Sequence, residues 1–226
     1  MNPIFISNIS CWAPSLYDDD SNWELWASEK TEIPCLKESP KLEFTDPLFR
    51  RRLSQISKMT IQVTHELFEN TYINRDTKLV FISLRGEIER EFSINEGIIE
   101  DNAILPASFS LSVFNTPIAI TTLALKLKGG YSVIYPSKND FSHALKAAIA
   151  PVLAETEKQI ILIYADELIP DVYKENHSSK NEPFAFAALI SSKEAVNSIK
   201  LDDINNICTE PSAFLKKLLK IKYNLK

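Results

Sequence analysis

The sequence contains few of the residues that metal sites and disulfide frameworks require. Its 226 residues include three histidines and only three cysteines, Cys11, Cys35 and Cys208. An odd number of widely spaced cysteines, with no CxxC pair and no histidine-rich cluster, predicts neither a metal site nor a disulfide framework. This cysteine usage is typical of a reduced protein, so we expect a cytoplasmic location.

Long apolar runs are also missing. No window approaches the roughly 20 apolar residues of a membrane-spanning helix, so we expect no transmembrane segment. The first ten residues lack the charged start and apolar centre of a signal peptide. A net charge of -5 disfavours nucleic acid as a partner, because such binding depends on neutralising phosphates with Lys and Arg. We expect one globular domain over residues 1–226.

Short apolar segments alternate with amphipathic ones along the chain. We expect strands at 4–9, 78–84, 131–135, 159–164 and 184–190, and helices at 47–69, 87–100, 113–127, 140–154 and 211–226. This alternation predicts an α/β layered sheet. The segment 159–164 (QIILIY) has no alternation, which predicts a strand buried on both faces.

Two segments are harder to interpret. Residues 11–46 contain three prolines, three tryptophans and the solvated run Asp18–Asp20, and we expect a long irregular connection there. Residues 211–226 form a basic amphipathic helix. Its apolar face is open to three interpretations: packing on the core, contact with a partner, or anchoring at a membrane surface.

The sequence resembles the N-terminal half of β-ketoacyl synthases in four stretches that occur in the same order: the opening strand with Cys11–Pro14, Arg50–Ser54, Pro106–Asn115 and Ile161–Glu167. It is most similar to the short ketosynthase-like proteins that act as chain-length factors in aryl polyene biosynthesis, a type II polyketide system. The resemblance implies half of a thiolase-like fold, in which a mixed sheet is covered by helices in α-β-α layers.

The nucleophile of that family has no counterpart in this sequence. Ketosynthases carry a cysteine at the junction of a strand and a buried helix, where the helix N-terminus lowers the thiol pKa. Counting from the flanking elements places this position at Lys138 or Asn139, and none of the three cysteines is near it along the chain. Glycine-rich loops are also sparse, with only four glycines. The resemblance therefore implies a subunit that is not an enzyme on its own and uses no cofactor.

The resemblance also implies two partners. A catalytic ketosynthase would pair with the strand Tyr131–Tyr135, and this chain would help to shape its acyl tunnel. The residues implied at the interface or tunnel are Leu84, Arg85, Phe109, Phe114, Asn115, Tyr131, Val133 and Tyr135. An acyl carrier protein would present the acyl chain on phosphopantetheine and dock at Arg50, Arg51 and Arg52.

Other interpretations stay open from the residues alone. The chain could be an independent thioesterase or acyltransferase that uses Ser137 or a cysteine, although no Gly-x-Ser-x-Gly elbow surrounds Ser137. It could also be a homodimeric interaction module. The arginine run could simply be a solvated helix start. We interpret His143, on an apolar helix, as a buried histidine with satisfied hydrogen bonds.

Overall fold

One mixed sheet organises the protein in a computed structural model that describes residues 3–101, 106–137, 140–176, 181–201 and 208–225. Within those ranges the sheet has six strands: β1 (Phe5–Trp12), β2 (Lys78–Ile82), β3 (Tyr131–Ile134), β4 (Gln159–Asp166), β5 (Phe184–Ser191) and β6 (Ile199–Lys200). Their order across the sheet is β3-β2-β4-β5-β1-β6. Strands β3, β2 and β4 are parallel, whereas β5 is antiparallel to both β4 and β1.

Helices cover both faces of this sheet. They are α1 (Asp20–Ala27), α2 (Pro47–Arg50), α3 (Gln55–Asn70), α4 (Ile88–Asp101), α5 (Pro106–Phe109), α6 (Thr116–Leu125), α7 (Phe141–Leu153) and α8 (Pro211–Lys222), with a 3-10 turn at Asp171–Asn176. The α/β class and the layered architecture predicted from the sequence are confirmed. None of the helices in the described ranges combines the length and apolar content needed to cross a bilayer.

The central strand β4 shows why the sheet has helices on both sides. Its alternate residues belong to different cores: Ile160, Leu162 and Tyr164 pack with residues of α7 and α8, and Ile161 and Ile163 pack with residues of α3. Because side chains alternate across a strand, an apolar run without alternation must bury both faces. The prediction made from this segment is confirmed.

The segment 11–46 is more regular than we expected. Asp19 accepts a hydrogen bond from the Ser21 N–H at 2.8 Å and caps α1, so the predicted solvated acidic run begins a helix. Trp23 and Trp26 lie on α1 and are buried against the sheet. The signal that could have found this helix is the Asp19 cap followed by an aromatic pair at a spacing of three.

The helix predicted at 47–69 is two helices. Asp46 caps α2, but the chain turns after Arg50, and Ser54 begins α3 by accepting a hydrogen bond from the Ser57 N–H. The break leaves Arg51 and Arg52 in the turn between the two helices. The two-residue strand β6 was not predicted, because a strand this short has no measurable periodicity.

The C-terminal helix α8 packs on the core. Its apolar residues Phe214, Leu215, Leu218 and Leu219 are buried, and α8 lies against α1. Lys216 lies 5.0 Å from the ring of Trp26 in a cation–π contact. This packing supports the first of the three interpretations of the segment, because the apolar face that would enter a membrane surface is already covered.

Candidate functional site

Strand β3 forms one edge of the sheet. It pairs with β2, with Phe81 opposite Val133, and in the described part of the chain nothing pairs with its other side. Leu79 donates its backbone N–H to Gly130 O at 3.1 Å. Since backbone groups alternate in direction along a strand, those of Tyr131 and Val133 point toward the free edge. The edge is therefore a template for another strand.

Aromatic side chains lie along this edge, and we call Phe114, Asn115, Tyr131 and Tyr135 the edge surface. Tyr135 is 60% exposed, and Phe109, which lies on α5, is 57% exposed. The rings of Phe114 and Tyr135 meet edge to face, with their centroids 5.3 Å apart. Asn115 Nδ2 donates to the Tyr131 hydroxyl at 3.1 Å. The structure thus brings together Phe114, Asn115, Tyr131 and Tyr135, which the sequence analysis named separately.

Gly86 lies directly against the Phe114 ring of the edge surface. Its φ of +63° is unfavourable for other residues, and a Cβ atom at this position would lie 2.6 Å from the Phe114 ring. The ring of Phe114 therefore packs directly on the backbone of the loop that follows β2. A larger residue at position 86 would displace the ring and, with it, the contact to Tyr135.

The loop after β2 is held by the buried carboxylate of Asp166. One oxygen, Oδ1, accepts hydrogen bonds from Ser83 Oγ at 2.6 Å, Leu84 N at 3.0 Å and Arg85 N at 3.1 Å. The other oxygen, Oδ2, accepts from the Tyr164 hydroxyl at 2.6 Å. Burial raises the pKa of Asp166, and the nearby Arg85 guanidinium opposes this shift. This network fixes the loop that carries Gly86.

Leu84 and Arg85 follow β2 and lie outside the edge surface, whereas Val133 lies on β3 between Tyr131 and Tyr135. Leu84 and Val133 are half-buried and pack against the two cores. Arg85 Nη1 donates to Glu167 O at 3.2 Å, and its Nε lies 4.0 Å from Asp166. Arg85 is therefore tied into the buried polar network at the ends of β2 and β4.

By the count made from the sequence, the position of the family's nucleophile falls in the connection between β3 and α7. Lys138 and Asn139 lie outside the described residues. Ser137 is exposed, and Asp140 caps α7 by accepting the Ser142 N–H at 2.9 Å.

The interpretation of His143 as a buried residue is wrong. Its side chain is 62% exposed and lies 3.7 Å from Asp140, because it falls on the solvent side of α7. In the described part of the chain no hydrogen bond joins the Ser137 hydroxyl to His143.

The fold brings one cysteine to the start of α7. Phe141 donates its N–H to Thr209 O at 2.9 Å, so Cys208 is one residue from this contact. The sequence did not indicate this proximity, because 67 residues lie between Phe141 and Thr209. Cys208 is half-buried and packs against the core. Cys35 is exposed, and burial strongly raises the pKa of the Cys11 thiol.

Two neighbouring clefts lie beside the first turns of α3. A smaller one, of about 410 Å³, is lined by Lys41, Arg50, Arg51 and Lys58 among others. We call it the cationic cleft. A larger one, of about 750 Å³, runs between α3 and α4 and shares Ser39 and Lys58 with it. We call this the α3–α4 cleft. Arg52 does not line the cationic cleft.

A cluster of buried acids closes the inner end of the α3–α4 cleft. Glu167 accepts hydrogen bonds from the N–H groups of Ile56 and Glu89, each at 3.2 Å, at the first turns of α3 and α4. Glu87 accepts from the hydroxyls of Ser54 and Ser57 at 2.8 and 2.7 Å. Burial, aided by the charge of Glu87, raises the pKa of Glu167 to about 8.

Comparison with known proteins identifies the family. Residues 23–214 match the model of the beta-ketoacyl synthase, N-terminal domain. The chain belongs to this family. The resemblance found in the sequence is therefore confirmed. A search of curated protein sequences gave no match.

Solved structures with the same fold include ketosynthase assemblies. A chain of the ketosynthase ApeO in complex with its chain length factor ApeC, from Xenorhabdus doucetiae, is 21% identical, with a TM-score of 0.72 over 85% of this chain and 80% of that one. A chain of the ishigamide ketosynthase/chain length factor is 11% identical, with a TM-score of 0.65 over 84% of this chain and 62% of that one.

A third structure contains a carrier protein. It is the complex AntDE:AntF, a type II PKS acyl-carrier protein with its ketosynthase bound to the hexaketide. The identity is 11% and the TM-score 0.65, over 84% of this chain and 63% of that one. Our chain thus spans less than two thirds of the matched chain in two of these three structures. Because the identities are only 11% to 21%, these similarities establish a shared fold and nothing further.

Proposed function

We propose that this protein is a non-catalytic, chain-length-factor-like subunit that pairs with a catalytic ketosynthase. The observation that carries the proposal is the free edge of β3, with its unpaired backbone groups and its exposed aromatic residues Tyr131 and Tyr135. An edge strand of this kind is normally covered in native proteins, because it promotes aggregation otherwise. A strand from a ketosynthase partner would cover it and bury the aromatic residues as interface anchors.

The absence of a cysteine from the sequence of the elbow supports a non-catalytic role. The segment 135–140 reads YPSKND and contains no cysteine. The catalytic cysteine and histidines would then come from the partner. The family membership supports the same pairing of a non-catalytic subunit with a catalytic one. The ketosynthase/chain length factor assemblies among the structural neighbours support it as well.

In this assembly the chain would limit the growth of an acyl chain attached to a carrier protein. Bulky side chains at the end of a tunnel make a further extension unfavourable, because a longer chain no longer fits. The candidates for this role are Phe114 on the edge surface and Phe109 on α5. The carrier protein would dock at the cationic cleft through Arg50 and Arg51, where its acidic surface would meet uncompensated positive charge.

The pairing can be tested by removing one backbone donor from the free edge. Val133→Pro deletes an N–H that points away from β2, and proline is tolerated on edge strands. Val133→Ala is the control, since it shortens the side chain and keeps the N–H. After co-expression with the ketosynthase, light scattering should show a heterodimer for the native chain and for Val133→Ala, and separate subunits for Val133→Pro.

Three outcomes would contradict the proposal. If the native chain remains monomeric after co-expression with the ketosynthase, the edge of β3 is not a pairing site for it. A homodimer without affinity for the ketosynthase indicates an interaction module instead. Hydrolysis of an acyl thioester by the isolated chain, lost in Ser137→Ala, would indicate an independent enzyme.

A further inference from the structure

Helix α4 makes little contact with the protein core. None of residues 88–100 is buried, and within the described chain α4 contributes no residue to the apolar clusters of the core. Its main neighbouring element there is the short helix α5. One aromatic contact joins it to the 3-10 turn, where the ring centroids of Phe92 and Tyr173 lie 5.5 Å apart. Because most helices are held by burial of an apolar face, α4 must be held in another way.

A pair of buried carboxylates joins the first turn of α4 to the first turn of α3. The two oxygens of Glu167 accept the N–H groups of Ile56 on α3 and Glu89 on α4, each at 3.2 Å. Glu87, which immediately precedes α4, accepts from the Ser57 hydroxyl on α3 at 2.7 Å. Glu87 is 0% and Glu167 2% exposed. Since Ile56 and Ser57 are consecutive, the two carboxylates lie side by side, and each raises the cost of charging the other.

The charges around the pair do not neutralise both carboxylates. Arg90 on α4, with its Nε 3.3 Å from Glu87, is the one cation within 4.0 Å of either carboxylate in the described part of the chain. The other cations that face the pair have partners of their own: Lys37, Lys58 and Arg85. Further acids lie close by on α4 and at the end of β4: Glu89, Glu91 and Asp166. Two buried negative charges with a single counter-charge are unfavourable.

One proton on the pair removes this excess of negative charge. Burial, aided by the charge of Glu87, raises the pKa of Glu167 to about 8. Hydrogen bonds from Ser54 and Ser57, together with Arg90, favour the charged form of Glu87. The proton therefore resides on Glu167 at neutral pH. If α4 moves away, Glu167 meets water and its pKa returns toward the ordinary value of 4.5, so docking of α4 is coupled to the uptake of one proton.

We propose that Glu87 and Glu167 form a proton-dependent latch that holds α4 against α3. With one proton on the pair, Glu167 joins the first turns of the two helices. When both carboxylates are ionised, their repulsion releases α4, which forms one wall of the α3–α4 cleft, and the cleft widens. The inference does not rest on the proposed function, because the latch belongs to the isolated chain.

Hydrogen exchange of the isolated native chain tests the latch. Protection factors of Ile88–Asp101, corrected for the intrinsic exchange rate at each pH, report the opening of α4. We expect them to fall as pH rises from about 5 to 8, by up to about tenfold per pH unit for one coupled proton. Dilute urea should leave them unchanged but lower those of the buried helix α7, because α4 opens without unfolding the sheet.

Two matched variants identify the titrating group. Glu167→Gln has no proton to lose at this position, so the protection of α4 should no longer depend on pH in this range. Glu66→Gln is the control, because burial also raises the pKa of Glu66. Glu66 is bonded to Gln62 and lies about three turns further along α3 than Ile56, so this variant should keep the native pH response.

A third variant covers the case in which Glu167→Gln does not fold. Glu87→Gln removes the neighbouring charge, so the fall in protection should end at a lower pH than in the native chain. The inference is overturned if the protection of α4 in the native chain does not depend on pH, or falls with urea as steeply as that of α7. It is also overturned if Glu167→Gln and Glu87→Gln keep the native pH response, or if Glu66→Gln loses it.

Discussion

The support that Gly86 gives to Phe114 leads to the most specific prediction. In Gly86→Ala, the new Cβ would begin 2.6 Å from the Phe114 ring, so the ring must move by about 1 Å to restore an ordinary contact. Two costs add. A non-glycine residue at a φ of +63° costs roughly 1–2 kcal/mol, and loss of the contact between Phe114 and Tyr135 costs about 0.5–1.5 kcal/mol. We expect a total loss of about 2–3 kcal/mol of unfolding free energy.

Gly130 offers a matched control. Its φ of +70° is nearly the same, but a Cβ at this position meets nothing within 4 Å. Gly130→Ala should therefore lose only the backbone contribution, about 1–2 kcal/mol. Urea denaturation of both variants measures the difference, which we expect to be about 1 kcal/mol.

A double-mutant cycle isolates the ring contact. In a Phe114→Ala background, Gly86→Ala should cost no more than Gly130→Ala, because the obstructing ring is gone. The near-ultraviolet circular dichroism of Gly86→Ala should also change, since two aromatic rings are displaced. If Gly86→Ala and Gly130→Ala destabilise the protein equally and the aromatic signal is unchanged, the proposed support of the edge surface by Gly86 is wrong.

Three further predictions concern the rest of the fold. Glu167, with a pKa raised from 4.5 to about 8, holds a proton in the folded state that the unfolded chain releases. The unfolding free energy should therefore fall as pH rises from about 5 to 8, and urea titrations of Glu167→Gln should show a shallower fall. Among the three free cysteines, exposed Cys35 should react first with a thiol reagent, and Cys35→Ser should remove this fast phase. Phe186→Ala should cost about 3–5 kcal/mol in the same urea assay, because the ring is fully buried in the core between the sheet and α8.

Local sequence signals predicted the elements that have strong periodicity or strong caps. The helix predicted at 140–154 and the apolar strand predicted at 159–164 are where we expected them, because each depends on nearby residues. The break between α2 and α3 was not visible, since Leu53 and Ile56 continue a helical spacing across the turn. The sequence signal for this break is Ser54, because serine is a favoured N-cap residue.

The candidate site was only partly predictable. The sequence resemblance selected Phe114 and Tyr135, but their contact and the role of Gly86 depend on three segments that meet only in the folded chain. The same is true of the cationic cleft. Arg50 and Arg51 form an obvious run, whereas Lys41 and Lys58 join them because α2 and α3 fold back on the preceding loop. A charge pattern along a chain does not show which charges converge in space.

By itself, the sequence determined the layered α/β class, the burial of β4 on both faces, the ketosynthase family and the lack of a cysteine between 135 and 140. The family follows from the resemblance of four stretches to ketosynthases and from the match over residues 23–214, and the other three properties follow from residue type and short-range periodicity. Only the tertiary structure decided that β3 lies at an edge, that Asp166 and Gly86 hold the edge surface, and that four cations share one cleft. The physical reason is that strand order and the convergence of distant side chains depend on how the layers pack, and packing is a property of the whole chain.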